Sequence, residues 1–184
     1  MANGKQSMRW LRNILLWTFF LSLFFNIVSQ SLLGWLGLIG SLLVLLAIIL
    51  LGVVFDTIGT AAAVSSLPPL NAKAAKRLPG ARQALSLAKN SEQVATFCND
   101  VVGDISGIIS GAAATAIIFQ LATDNIIAES TYLSIILTAL VASLTVGGKG
   151  IGKTLAINRA PDILMIAGRV IFYVQKLWPG KRGA

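Results

Sequence analysis

Apolar and polar stretches alternate along the chain on a scale that suits membrane helices. The apolar stretches cover residues 14–28, 32–64, 95–120 and 131–147 of the 184-residue sequence. A helix of about 20 residues crosses the hydrocarbon core of a bilayer, and these stretches are of that order. The pattern therefore predicts an all-α membrane protein with four transmembrane helices.

Two further helical segments are predicted outside the spans. Residues 70–92 form two short amphipathic helices on either side of Pro79 and Gly80, which makes a helical hairpin between the second and third spans. Residues 162–178 are apolar apart from three charged positions spaced seven apart. That spacing favours a juxtamembrane helix lying in the interface over a fifth span.

The chain divides accordingly into two predicted parts. Residues 1–31 comprise a basic N-terminus and the first transmembrane helix, and residues 32–184 comprise the remaining spans, the hairpin and the juxtamembrane helix. A basic start followed by an apolar run also describes a signal peptide. No A-x-A-like cleavage site follows here, so we predict that the first span is retained.

The distribution of charge predicts the orientation in the membrane. All fifteen lysines and arginines lie within residues 5–12, 73–89 and 149–182, and the net charge is +8. Cationic segments favour the cytoplasmic side, so both termini and the hairpin are predicted to face anionic headgroups of the cytoplasmic membrane. The loop with Asp124 and Glu129 carries no cation and is predicted to be external. No basic stretch is interleaved with aromatic residues, which argues against nucleic acid as a partner.

The composition also limits the chemistry. The chain has no histidine, which removes histidine bases and zinc hydrolases from consideration, and its one cysteine, Cys98, cannot form an internal disulfide. No nucleophile–base pair and no metal-ligand cluster is visible in the sequence. We therefore predict neither an enzyme nor an organic cofactor.

Residues 96–111 combine small and acidic positions within the third span. Gly103, Gly107 and Gly111 recur every four residues, which gives a helix face that a neighbouring helix can approach closely, as in a homodimer. Asp100 and Asp104 recur at the same spacing. A carboxylate within a span is costly and normally faces a partner or a water-filled path, which favours a functional role. For Asp100, a hydrated anchoring position at the interface remains an equal alternative.

A second acidic position lies in the longest apolar run. Asp56 is followed by Gly59 and Thr60, and we predict a helix break there, with threonine hydroxyls satisfying the freed backbone groups. The alternatives are close packing at Gly59 and a helix-end position of Asp56 at the inner interface.

Residues 147–154 match the P-loop pattern G-x-x-x-x-G-K-[ST] in every position. That pattern binds phosphates when a strand precedes the loop and a helix N-terminus follows it. Here a predicted span precedes it and Pro161 follows soon after. We expect a chance match in a glycine-rich turn and no nucleotide.

Five short motifs, in this order, resemble those of the transmembrane domain of the CorB/CorC/cyclin-M (CNNM) magnesium transporters. They are F-D-T-I-G-T-A (55–61), A-R-Q-A-L-S-L-A-K-N-S-E (81–92), C-N-D (98–100), G-K-G-I-G-K-T-L-A (148–156) and N-R-A-P-D (158–162). The family's cytosolic nucleotide-binding domains have no counterpart in this sequence, and the first span is additional. The resemblance implies a dehydrated Mg²⁺ bound by oxygen atoms of the first family span, an asparagine of the next and a glutamate of the last motif.

The chain departs from that ligand set. Asn99 matches the family asparagine, but Asp56 stands at a serine position, Gly59 at the first-motif glutamate and Lys149 at the last-motif glutamate. A lysine ammonium cannot coordinate magnesium, which requires hard oxygen ligands. Either the new carboxylates form a relocated cation site, or Lys149 occupies the vacated site itself. An ordinary cytoplasmic position for Lys149 remains a third possibility.

The function predicted from these features is transport or exchange of magnesium or another divalent cation. Its path would be lined by Asp56, Asn99, Asp100 and Asp104, with Lys149 as a competing or coupling charge. The alternative is a non-transporting member of the family that acts as a scaffold or regulator, with an internal Asp–Lys pair in place of the metal.

Overall fold

In the computed structural model, the described residues are 4–123 and 131–177, and they are helical apart from short connections, with no strand among them. Within these residues, four helical segments are long and apolar enough to cross a membrane. The predictions of an all-α membrane protein and of four spans are thus confirmed at this level. Asp124 and Glu129, predicted in the external loop, lie outside the described residues.

The first two helices are separated by a short connection. Helix α1 comprises Gly4–Trp35 and α2 comprises Leu38–Val64, so α1 continues past residue 31. Helix α2 runs without interruption through residues 56–60, and the predicted break at Gly59 and Thr60 is therefore wrong. The backbone amides of this segment keep their helical geometry, and Gly59 serves close packing instead.

Two short helices follow where the hairpin was predicted. Helix α3 comprises Leu67–Ala75, with prolines in its first turn, where a missing N–H costs little. Helix α4 comprises Ala81–Lys89, and Gly80 before it has φ +80°, a left-handed conformation that favours glycine. This glycine makes the turn between the two helices.

The third span begins with irregular helix. Helix α5 (Ser91–Ala95) leads into a π-helical segment, Thr96–Gly103, which leads into α6 (Asp104–Thr123). Because a π-helix forms i→i+5 hydrogen bonds, its turns are wider than α-helical turns. The predicted α-helical spacing that put Asp100 on one face with Asp104 does not hold across this segment.

The last helix, α7, comprises Thr131–Leu177 and bends near its middle. Arg159 departs from helical geometry, with φ −134° and ψ 34°, and Pro161 lies two residues on, where it lacks an N–H for the helix. Residues 147–154 lie within the regular part of α7, so the turn predicted there is wrong. Their N–H groups belong to a helix and do not form a phosphate-binding loop.

The chain forms two compact units. The first contains Met1–Leu51 and Asp104–Thr145, and here α1 packs along α6 while the buried Ser41 hydroxyl lies 3.4 Å from Oε1 of Gln120. The second unit contains Gly52–Gly103 and Val146–Ala184.

The core of the second unit is built mainly from alanines of α2, α4 and α7. Gly168 of α7 packs against the backbone of Gly80 and Ala84, and Lys73 pairs with Asp162 at 2.8 Å. Small side chains let the α3–α4 hairpin lie close to the end of α7. The hairpin and the last part of α7 therefore form one packed layer.

Candidate ion site

A buried carboxylate is the centre of the candidate site. Asp56 lies in α2 of the second unit and is 3% exposed. Its Oδ2 atom is buried and has no hydrogen-bond partner among the described residues. An ionised carboxylate in such a place needs a positive charge nearby, because transferring it from water to an apolar environment is costly.

One lysine of α7 supplies that charge and a second lies nearby. The Lys153 ammonium lies 3.7 Å from Asp56 Oδ2, which is within ion-pair range. Lys149, one helical turn earlier, places its Nζ 3.6 Å from the position that a Cβ of Gly103 would occupy, and Asp56 Oδ1 lies 3.6 Å from the same position. The two lysines therefore share one face of α7, and Lys153 is within ion-pair range of the carboxylate.

Asn99 contributes a second oxygen acceptor to this region. Its side chain packs directly against the Cα of Gly59 in α2, where any Cβ would collide with the amide oxygen. Asn99 Oδ1 is buried and, within the described part of the chain, accepts no hydrogen bond. Asn99 and Asp56 thus each present a buried oxygen atom without a hydrogen bond.

The π-helical segment is what brings Asn99 to this position. π-helical turns are rare among helices overall. Those that do occur are often found at functional sites, because they shift the register of the helix by one residue. Here the segment contains Cys98, Asn99 and Gly103, and all three meet atoms of the site or its supporting helices. Asp56 Oδ1 and Lys149 Nζ both lie within van der Waals distance of the position that a Cβ of Gly103 would occupy.

Threonine and glycine hold α2 against α7 beside the site. The Thr57 hydroxyl donates to the carbonyl of Val53 at 2.7 Å and lies directly over Gly152, where a Cβ would overlap it. Glycine at a helix contact allows two backbones to approach closely within a membrane. This close approach brings Lys153 within reach of Asp56.

The structure brings together some of the predicted residues. Asp56, Asn99 and Lys149 lie in one region of the second unit. Asp100 follows in the π-helical segment with an exposed side chain, and Asp104 begins α6 in the first unit, also exposed. No cluster of three or more His, Cys, Asp or Glu side chains occurs within residues 4–123 and 131–177.

The glycines of the third span differ from one another. A Cβ at Gly103 would lie 3.2 Å from the Cys98 carbonyl oxygen, whereas at Gly107 and Gly111 it would meet no described atom within 4 Å. Close packing of another helix at Gly107 and Gly111 stays a prediction.

Lys153 is the site residue that the sequence reasoning missed. In the sequence it stands as the lysine of the P-loop pattern. Its spacing carries a further signal, since Lys149 and Lys153 are four residues apart and share one face of a helix. That relation does not hold in the turn that the glycine-rich pattern predicts.

The arrangement is a small set of hard oxygen acceptors opposed by two ammonium groups. Such a set can bind a cation when the ammonium groups withdraw, or can remain closed as an internal ion pair.

No family model, curated protein or solved structure matches this chain.

Proposed function

We propose that this chain is a membrane transporter or exchanger of magnesium or another divalent cation. Asp56 and Asn99 bind the transported ion, and the ammonium groups of Lys149 and Lys153 compete with it for the same oxygens. The resemblance to the CorB/CorC/cyclin-M transport domain agrees with this role.

One observation carries the proposal, namely that Asp56 Oδ2 and Asn99 Oδ1 are both buried without a hydrogen bond. Buried polar atoms are nearly always satisfied, and leaving one unsatisfied costs about 1–3 kcal/mol, more for a charged group. A hard divalent cation accepts both carboxylate and amide oxygens as ligands. Cation binding would therefore satisfy both oxygen atoms.

The lysines give the site a means of release. The Lys153 side chain is 51% exposed on the surface of the second unit, so its ammonium has room to move away from Asp56 when a cation arrives. Its return would displace the cation again, since both compete for the same oxygen. The exchange of an internal ammonium for a mobile cation is the transport step that we infer.

The proposed transport function also gives roles to the residues and helices around the site. The exposed side chain of Asp100 would line the access path, and Gly107 and Gly111 would pack against a second copy in a homodimer. A role for Asp104 in the path stays a prediction from the sequence. The α3–α4 hairpin and the part of α7 after Pro161 would lie at the cytoplasmic face, against anionic headgroups.

Cation flux into liposomes tests the proposal. The full chain is reconstituted with a Mg²⁺-sensitive dye inside the vesicles, and Asp56→Asn and Asn99→Leu are compared with the wild type. Glu92→Gln and Asn158→Leu are matched controls, because both residues are exposed and lie away from the site. We expect both site variants to lose the flux and both controls to keep it.

The proposal is overturned if Asp56→Asn transports at the wild-type rate. It is also overturned if the wild type carries none of a panel of divalent cations across the membrane while remaining folded.

The distance between Lys153 and Asp56 favours a second candidate, a non-transporting scaffold or regulator closed by an internal ion pair. In that case no variant transports. Both Asp56→Asn and Lys153→Met would then lower only the stability, because each breaks the pair.

A further inference from the structure

The second unit contains an apolar groove that the proposed transport site does not use. Its volume is about 900 Å³, within the range of ligand pockets, and its walls come from α2, α4, α5, the π-helical segment and both halves of α7. Gln93 and the Thr57 hydroxyl are the polar side chains that line it, and the remaining lining is apolar or glycine.

The groove and the candidate ion site share their supporting segments. Thr57 lines the groove while its neighbour Asp56 belongs to the site, and Cys98 stands in the same relation to Asn99. On α7, Gly152 lines the groove next to Lys153. In each of the three segments, one residue thus lines the groove and a residue adjacent to it in the chain belongs to the site.

Charge indicates what occupies the groove. The helices that flank the groove at the hairpin end carry a net positive charge. Helices α4 and α5 and the end of α7 have four exposed cations, which we call the basic rim, against one exposed carboxylate, Glu92, besides Asp162, which pairs with Lys73. The cations are Arg82, Lys89, Arg169 and Lys176. An apolar cavity flanked by net positive charge complements an anionic amphiphile, with its chain in the cavity and its headgroup at the cations.

The same charges argue against a second copy of this chain. In a two-fold dimer the same patch of both copies meets, so the basic rim of one copy would face that of the other. Like charges in contact are unfavourable, whereas a phosphate headgroup is attracted to the same rim.

We propose that this groove binds one acyl chain of an anionic phospholipid from the surrounding bilayer. An acyl chain in the groove packs against Thr57, Cys98 and Gly152. This packing fixes the positions of the adjacent site residues Asp56, Asn99 and Lys153. This last consequence rests on the proposed transport function, whereas the binding of the lipid does not.

Native mass spectrometry of the full chain in mild detergent tests lipid binding directly. Phosphatidylglycerol and phosphatidylcholine with identical acyl chains are added to the delipidated protein. We compare Ile166→Trp, which fills the groove, with Ile157→Trp, a change at an exposed position of the same helix outside the groove. The wild type and Ile157→Trp should retain one phosphatidylglycerol, and Ile166→Trp should bind it about tenfold more weakly.

One further measurement locates the headgroup. Arg169→Gln should reduce the preference for phosphatidylglycerol over phosphatidylcholine.

Equal lipid retention by Ile166→Trp and Ile157→Trp, or retention without headgroup preference, overturns the proposal. So does a lipid-free dimer that Ile166→Trp weakens and Ile157→Trp does not, because a second copy would then fill the groove. None of these readouts uses cation flux, so loss of flux in the Asp56 variant and loss of lipid binding in the Ile166 variant are independent results.

Discussion

The ammonium of Lys153 lies 3.7 Å from Oδ2 of Asp56, and the two side chains are 51% and 4% exposed. The pair is therefore asymmetric, because the lysine side chain is half exposed at the protein surface while the carboxylate is enclosed by protein. The lysine is the partner whose side chain has room to move away. This asymmetry is what makes cation exchange at Asp56 physically reasonable.

Removing the Lys153 charge tests that asymmetry. Lys153→Met should lower the Mg²⁺ concentration for half-maximal flux, because one competitor of the cation is lost. The loss of stability should stay below the ~3–5 kcal/mol expected when a fully buried pair is broken, since Lys153 is half exposed. Flux titration and thermal unfolding in detergent measure the two effects.

Lys76→Met is the matched control for that change, because Lys76 is exposed just after α3 and lines neither the site nor the groove. An unchanged Mg²⁺ dependence in Lys153→Met would show that Lys153 does not compete for the site.

Gly59→Ala should displace Asn99. The new Cβ would collide with the amide of Asn99 and lie 2.9 Å from Cβ of Cys98. Alanine favours a helix by about 1 kcal/mol over glycine, but overpacking costs about 1–3 kcal/mol, so we expect net destabilisation and reduced cation flux. Thermal unfolding and the liposome assay report these two outcomes.

Gly150→Ala provides the matched comparison in α7. A Cβ there meets no described atom within 4 Å, so the substitution should stabilise the protein by about 0.5–1 kcal/mol. Equal effects at the two glycines would contradict the assigned contact between Gly59 and Asn99.

Gly168→Ala should loosen the α3–α4 hairpin from α7. Its Cβ would collide with the Gly80 carbonyl oxygen and lie 2.7 Å from the Ala84 nitrogen, and backbone atoms cannot rotate away. We expect faster proteolysis within the hairpin than in the wild type. Gly147→Ala, on the same helix with no described atom within 4 Å, should leave the proteolysis rate unchanged.

The Lys73–Asp162 ion pair should contribute little to stability. Its N–O distance is 2.8 Å, but the side chains are 31% and 69% exposed, and exposed pairs are worth about 0.2–1 kcal/mol. Lys73→Asp should lower the stability of the protein slightly more than a neutral substitution that only removes the pair, because it places two carboxylates next to each other. The double change Lys73→Asp with Asp162→Lys should restore most of the wild-type melting temperature, and a failure to do so would mean that other contacts decide the effect.

The four long apolar helices could be predicted from the sequence, because a helix that crosses a bilayer needs a long apolar run. The helical state of residues 81–89 followed from amphipathic spacing and from the proline and glycine before them, which are local signals, whereas α3 begins at Leu67, before the predicted start at residue 70. The continuous helix through Gly59 could not be predicted from the sequence. A glycine that serves close packing has the same sequence neighbours as one that breaks a helix.

Local pattern along the chain therefore determined which segments are helical and apolar, and which polar residues stand within them. Tertiary structure alone decided that Asp56 meets Lys153 and that Asn99 packs on Gly59. It also decided that residues adjacent to these in the chain line an apolar groove. The physical reason is that these contacts join residues 40 to 97 positions apart in the chain, through a π-helical register shift and glycine contacts that hydrophobic periodicity does not encode.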